Sequence, residues 1–109
     1  MTQRPDPQQL NELVRRIVEA VHPLKIILFG SAARGEMGPE SDVDLLVVMP
    51  EGTHRLHTAQ DLRVYLFGLE TPLLVDVIVA TPRDLERYRD DIGFIYYTVL
   101  REGKELYAA

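Results

Sequence analysis

The segment GSAARGEMGPESDVDLLVV, residues 30–48, follows the apolar run KIILF and decides how the rest of the chain is read. It links one strand-like stretch to another, and the second opens with two acids, Asp42 and Asp44, one residue apart. Side chains alternate along a strand, so these two carboxylates point to the same face. Like charges held at that range repel each other. A positive partner has to lie between them, and the remainder of the sequence has to supply the place for it.

On the N-terminal side, Asp6-Pro7 reads as a helix start, with Asp6 as N-cap, Pro7 at the first helical position and Gln9 completing a capping box. Leu10, Leu13, Val14, Ile17, Val18 and Val21 then recur at helical spacing, and His22-Pro23 ends the stripe. Lys25 to Phe29 is a short strand, central in a sheet. Gly30-Ser31 turns the chain into a short helix through about Gly35, and Gly38-Pro39 breaks the loop that follows.

On the C-terminal side, Asp42 to Met49 forms the second strand, closed by Pro50-Glu51-Gly52. Leu56, Ala59, Leu62, Leu66 and Leu69 mark a further amphipathic helix, and LLVDVIVA, Leu73 to Ala80, a third strand with Asp76 in its middle. Thr81-Pro82-Arg83-Asp84 again has the look of a helix start. From Asp84 to Leu100 the pattern is helical with a break near Gly93, and Gly103 serves as C-cap. The order αβ(α)βαβαα predicts an α/β or α+β fold, a small mixed β-sheet covered by helices. Without a linker or a shift in composition, residues 1–109 are expected to form a single domain.

The composition narrows the function. A chain of 109 residues with 46% hydrophobic content suits one modest core. No apolar run approaches the length of a membrane span, and the N-terminus lacks the apolar stretch of a signal peptide, so a cytoplasmic location is expected. The absence of cysteine excludes disulfides and thiolate metal sites. A net charge of −5 argues against a broad duplex-binding surface, and no nucleic-acid partner is expected.

Asp76 is the second anomaly. A lone carboxylate buried inside an apolar strand loses roughly several kcal/mol of hydration, and such a group pairs with a base or binds a metal. If the third strand lies beside the second, Asp76 meets Asp42 and Asp44 on one face. Three carboxylates without cysteine suit Mg²⁺, with phosphates completing its shell. Gly30 lets a ligand approach the backbone closely, and the amides of the next helix with the Ser31 hydroxyl make a phosphate cradle. Opposed to a metal, that cradle would hold a nucleoside triphosphate for in-line attack at phosphorus.

These residues carry a resemblance. Gly30-Ser31, ten intervening residues and Asp42-x-Asp44 resemble the GS-x10-DxD signature of the nucleotidyltransferase (polymerase β) superfamily. The wider pattern FGSAARG…SDVDLLVV, with Asp76 in a later strand, is similar to the minimal nucleotidyltransferase (MNT) family, over nearly the whole chain to the closing EGKELY. The resemblance implies a nucleotidyltransferase fold, with Gly30 and Ser31 on the triphosphate of ATP and Asp42 and Asp44 on Mg²⁺. Asp76 would complete the metal site and help to activate an acceptor hydroxyl. Many members of that family are antitoxins paired with a HEPN-domain ribonuclease toxin, and some attach AMP to a toxin tyrosine. That implies a homo- or hetero-oligomer with a HEPN toxin as partner. Two alternatives stand beside it: an MNT-fold antitoxin that works by docking alone, and a small-molecule nucleotidyltransferase assembled from homo-oligomers.

The remaining candidates are less decisive. Arg34 either steadies a phosphate or pairs with Glu36 or Glu40. His54 and His57 have a spacing that suits a metal pair, but read as a solvated helix start. Ile92, Phe94, Ile95, Tyr96, Tyr97, Val99 and Leu100 spread around most of a helix, more than one buried face needs, and combine core packing with a partner surface.

Overall fold

Asp6 heads the first helix, α1 (Pro7–Val21), and its carboxylate accepts the Gln8 N–H at 2.8 Å. The reciprocal bond expected from Gln9 is not formed, so this cap is Asp6 alone. His22 ends the helix in a left-handed conformation (φ 49°), its N–H donating to the Val18 carbonyl, and Pro23 prevents resumption. The computed structural model describes residues 5–36, 42–69 and 73–109. Gly38-Pro39 and Glu40 therefore lie outside the described residues.

After α1 come β1 (Lys25–Phe29), the four-residue α2 (Ser31–Arg34) and β2 (Val43–Val48). Then follow α3 (Arg55–Phe67), β3 (Val75–Ala80), α4 (Pro82–Tyr88), α5 (Ile95–Glu102) and β4 (Lys104–Ala108). The sheet runs in the order β3-β2-β1-β4. β1 is antiparallel to both β2 and β4, whereas β2 and β3 are parallel and joined by the α3 crossover, which makes the sheet mixed as expected. Gly103 caps α5 as expected, its N–H donating to the Val99 carbonyl, and the correction lies beyond it, where the chain continues as β4 and pairs with β1. Gly103 fits there because a Cβ would run into the Val99 carbonyl and lie 2.5 Å from the Ile27 side chain.

Strand alternation sorts the apolar residues into two layers. Ile26, Leu28, Val43, Leu45, Val47, Val77 and Val79 pack under α1, α2 and α3 with Leu13, Ile17, Ala59 and Leu62. Ile27, Phe29, Leu46, Val48 and Ala80 face the other way, toward Leu85, Tyr96 and Val99. Leu56, which spacing places in the buried stripe of α3, is 63% exposed. The capping box is found at α4, where Thr81 and Asp84 bond reciprocally ahead of Pro82. Among the described residues no helix is long and apolar enough to cross a membrane.

Candidate active site

The second layer is where the carboxylates emerge. Phe29 stands opposite Asp44 in the antiparallel ladder, and Asp44 stands beside Asp76 in the parallel one. Asp42 directly precedes β2 and, by alternation, faces the same side. Asp42 and Asp76 are exposed and Asp44 is half-buried. Asp76 therefore corrects the sequence reading: β3 is an edge strand, its acid reaches solvent, and the cost of a buried lone charge does not arise. What remains is mutual repulsion. Burial, then the charges of Asp76 and Asp42, push the Asp44 carboxyl above its ordinary value, while Arg34 pulls the other way. Among the described residues, no hydrogen bond or ion pair neutralises any of the three.

Gly30 explains why the strand must end as it does. Its backbone (φ 74°, ψ −155°) is one that side chains other than hydrogen rarely adopt, and a Cβ there would lie 2.5 Å from Asp44 Oδ2. The bare backbone thus lies directly against the central carboxylate. The chain then enters α2, where the Ser31, Ala32 and Ala33 N–H groups have no acceptor within the helix and Gly30 offers no capping side chain. Amides without an acceptor in their helix and carboxylates without a partner among the described residues form a site suited to a phosphate bridged by a cation.

Arg34 sits at the end of α2, exposed, with its Nε donating to Glu36 at 2.9 Å and Nη1 to Glu102 at 3.4 Å. The Glu102 contact spans 68 residues and had no local sequence signal. His54 is the N-cap of α3, its Nδ1 accepting the His57 N–H at 3.1 Å, and His57 Nε2 lies 3.3 Å from Asp61. Both imidazoles thus serve the start of the helix. Val99 is buried and Tyr96 and Tyr97 are half-buried, while Ile92, Phe94, Ile95 and Leu100 stay exposed.

The donor set can be tested against Mg²⁺. It consists of oxygens alone, which suits a hard cation. As the side chains stand, no three acids or histidines among the described residues close on one ion. Mg²⁺ is ordinarily bound by one or two carboxylates together with substrate phosphates and water, so Asp42 and Asp44 fit it with the substrate completing the shell. A groove of about 680 Å³ contains none of the carboxylates and lies farther along β3, beside Ile78, Val79 and Tyr96.

Residues 8–106 match the family of nucleotidyltransferase domains. A protein of Methanocaldococcus jannaschii, named by inference as a protein adenylyltransferase, is 37% identical over 76% of this chain and 77% of its own length. The crystal structure of a nucleotidyltransferase (also so named by inference) from Sulfolobus solfataricus shares the fold, with a TM-score of 0.61 at 21% identity, over 93% of this chain and 78% of the other. A toxin–antitoxin structure with AMP-PNP superposes with a TM-score of 0.53 at 22% identity, over 91% of this chain and 73% of the other. The MntA–HpeT toxin–antitoxin, with two Asp-to-Glu substitutions two positions apart, gives 0.54 at 20% identity over the same shares.

Proposed function

The chain belongs to the nucleotidyltransferase domain family, and from that premise we propose that it is a Mg²⁺-dependent protein adenylyltransferase. It transfers AMP from ATP to a hydroxyl, a tyrosine first of all, on a partner toxin of the HEPN class, and so acts as an antitoxin. One observation carries the reading: Asp44 stands in register with Asp76, against the bare backbone of Gly30, with no neutralising partner among the described residues. A stable fold has no use for that repulsion, whereas a cation-bound triphosphate does. The adenylyltransferase name of the M. jannaschii relative and the toxin–antitoxin neighbours support the acceptor class. The substituted aspartates of the MntA–HpeT structure have the spacing of Asp42 and Asp44.

In this reading Gly30, Ser31 and the free amides of α2 orient the triphosphate, and Arg34 sits beside it as a further cation. Asp42 and Asp44 would hold the metal with Asp76 beside them. A cation bound there would offset phosphate charge and polarise the phosphorus–oxygen bond under attack. The acceptor oxygen forms a new bond to the α-phosphorus as the bond to the β-phosphate breaks; pyrophosphate leaves, and Asp76 takes the hydroxyl proton. The test is incubation with ATP labelled at the α-phosphate, with and without Mg²⁺ and the protein encoded alongside. Label on that protein, with its mass raised by an adenylyl group, is the expected result. Unmodified partner, silenced as well by an Asp42→Asn/Asp44→Asn double variant as by the native chain, would leave docking as the mechanism.

A further inference from the structure

The two edges of the sheet are finished differently. β4 presents Lys104 and Glu105 and carries a register irregularity opposite Ile26 and Ile27, devices that discourage a further strand. β3 reads VDVIVA: its pairing with β2 carries no irregularity, and its one charge, Asp76, belongs to the carboxylate site. The Leu74 and Ala80 carbonyls accept N–H groups from Val43 and Met49 on the β2 side. Backbone alternation then turns the N–H and C=O groups of Val75, Val77 and Val79 outward. Arg63 Nη2 donates to the Val77 carbonyl at 3.2 Å, which fits that orientation. The groove of about 680 Å³ runs along this edge, with Val77 to Val79 between Arg55 and Arg63 of α3 and Tyr96 of α5. Arg55 is paired with Asp84 at 2.7 Å, whereas Arg63 has no carboxylate partner among the described residues.

The groove lies next along β3 from the carboxylates. Ile78 follows Asp76 on the same face, about 7 Å along the strand at the usual rise per residue. Resting on the reading of this chain as a protein-modifying enzyme, we propose that the free edge of β3 receives an extended segment of the acceptor protein as an added strand. Main-chain hydrogen bonds to Val75, Val77 and Val79 fix its register, which lays its hydroxyl-bearing residue beside Asp76. An acidic side chain of the same segment replaces the Val77 carbonyl as the partner of Arg63. The enzyme thereby positions the acceptor oxygen with its own sheet edge.

Random Glu–Tyr and Lys–Tyr copolymers, offered with MgATP labelled at the α-phosphate, test this directly. The native chain is expected to label the Glu–Tyr polymer about tenfold faster than the Lys–Tyr polymer. Arg63→Glu, an exposed position outside the nucleotide site, should erase that preference while MgATP affinity stays within about twofold. Val79→Pro removes one outward N–H and should cut labelling by about tenfold or more, whereas Val79→Ala, which loses packing but keeps the N–H, should not. If Val79→Pro fails to fold by circular dichroism, Arg63→Glu decides alone. Native-like labelling and preference in Arg63→Glu would overturn the edge proposal and leave the transferase reading standing. A native chain that binds MgATP but labels neither polymer nor its partner protein would overturn both.

Discussion

Two carboxylates at the starts of elements, Asp44 in β2 and Asp84 in α4, have opposite surroundings. Asp84 is satisfied: it accepts from the Thr81 N–H at 2.9 Å, bonds the Thr81 hydroxyl, and meets Arg55 at 2.7 Å. Burial would raise its carboxyl, but the Thr81 and Arg55 contacts outweigh that and hold it below its ordinary value. Asp44 has no such partners and two acids nearby, and is pushed the other way. One acid is placed to hold the chain together. The other is placed at a cost that a ligand can offset, which is how strain at a site of chemistry is recognised.

Asp44→Asn should produce the largest effect and break this contrast if it is wrong. Transfer is expected to fall by about 10²–10³-fold, the usual loss when a charge-stabilising group is removed. Tm measured without divalent cations should hold or rise, since a repelling charge is gone. A lower Tm with transfer intact would make Asp44 a structural acid like Asp84.

Gly30→Ala comes next and strikes both properties. Its backbone conformation disfavours any Cβ by about 1–3 kcal/mol, and the new atom collides with Asp44 Oδ2. Tm and transfer are both expected to drop, the rate by about tenfold or more. An unchanged rate would separate the Gly30 backbone from the phosphate. Ser31→Ala should leave Tm alone and weaken the transition state by about 1–3 kcal/mol, the worth of one hydrogen bond to a charged group. Steady-state rates with MgATP measure it.

Asp84→Ala is the smallest and the mirror image. Loss of the Asp84 half of the capping box and of its Arg55 pair should lower stability by about 1 kcal/mol and leave MgATP affinity unchanged. Because the folded chain holds this carboxyl below its ordinary value near 3.8, the stability it lends is complete above that pH and disappears as pH falls below it. Melting curves of the variant and the parent should therefore differ at neutral pH and converge in acid. A constant gap across that range would mean that the cap does not depend on the charge of Asp84.

Much of the site was legible because its signals are local. A glycine after a buried strand, a serine behind it and two acids at strand period are written within residues 30–44, and the backbone geometry that unites them follows from alternation. The helix boundaries at His22 and Pro82 came from caps and proline for the same reason. Asp76 could be flagged by its apolar neighbours, but its depth could not: whether a strand is central or at an edge depends on what pairs beside it. β4 carries no local signal because KELYA is short and half polar, and pairs with β1 far away in sequence. Leu56 fits a core stripe by spacing and is exposed, because which turns of a helix meet the sheet depends on the packing of the whole.

The sequence by itself determined which residues carry the chemistry and which face of its strand each occupies, since both depend on neighbours a few positions away. Only the tertiary structure decided that Asp76 lies in register with Asp44, that Glu102 reaches Arg34, and that β4 meets β1 with a register irregularity while β3 pairs with β2 without one. Those are pairings between segments tens of residues apart, and they are selected by the joint burial of two apolar layers, which no local pattern records.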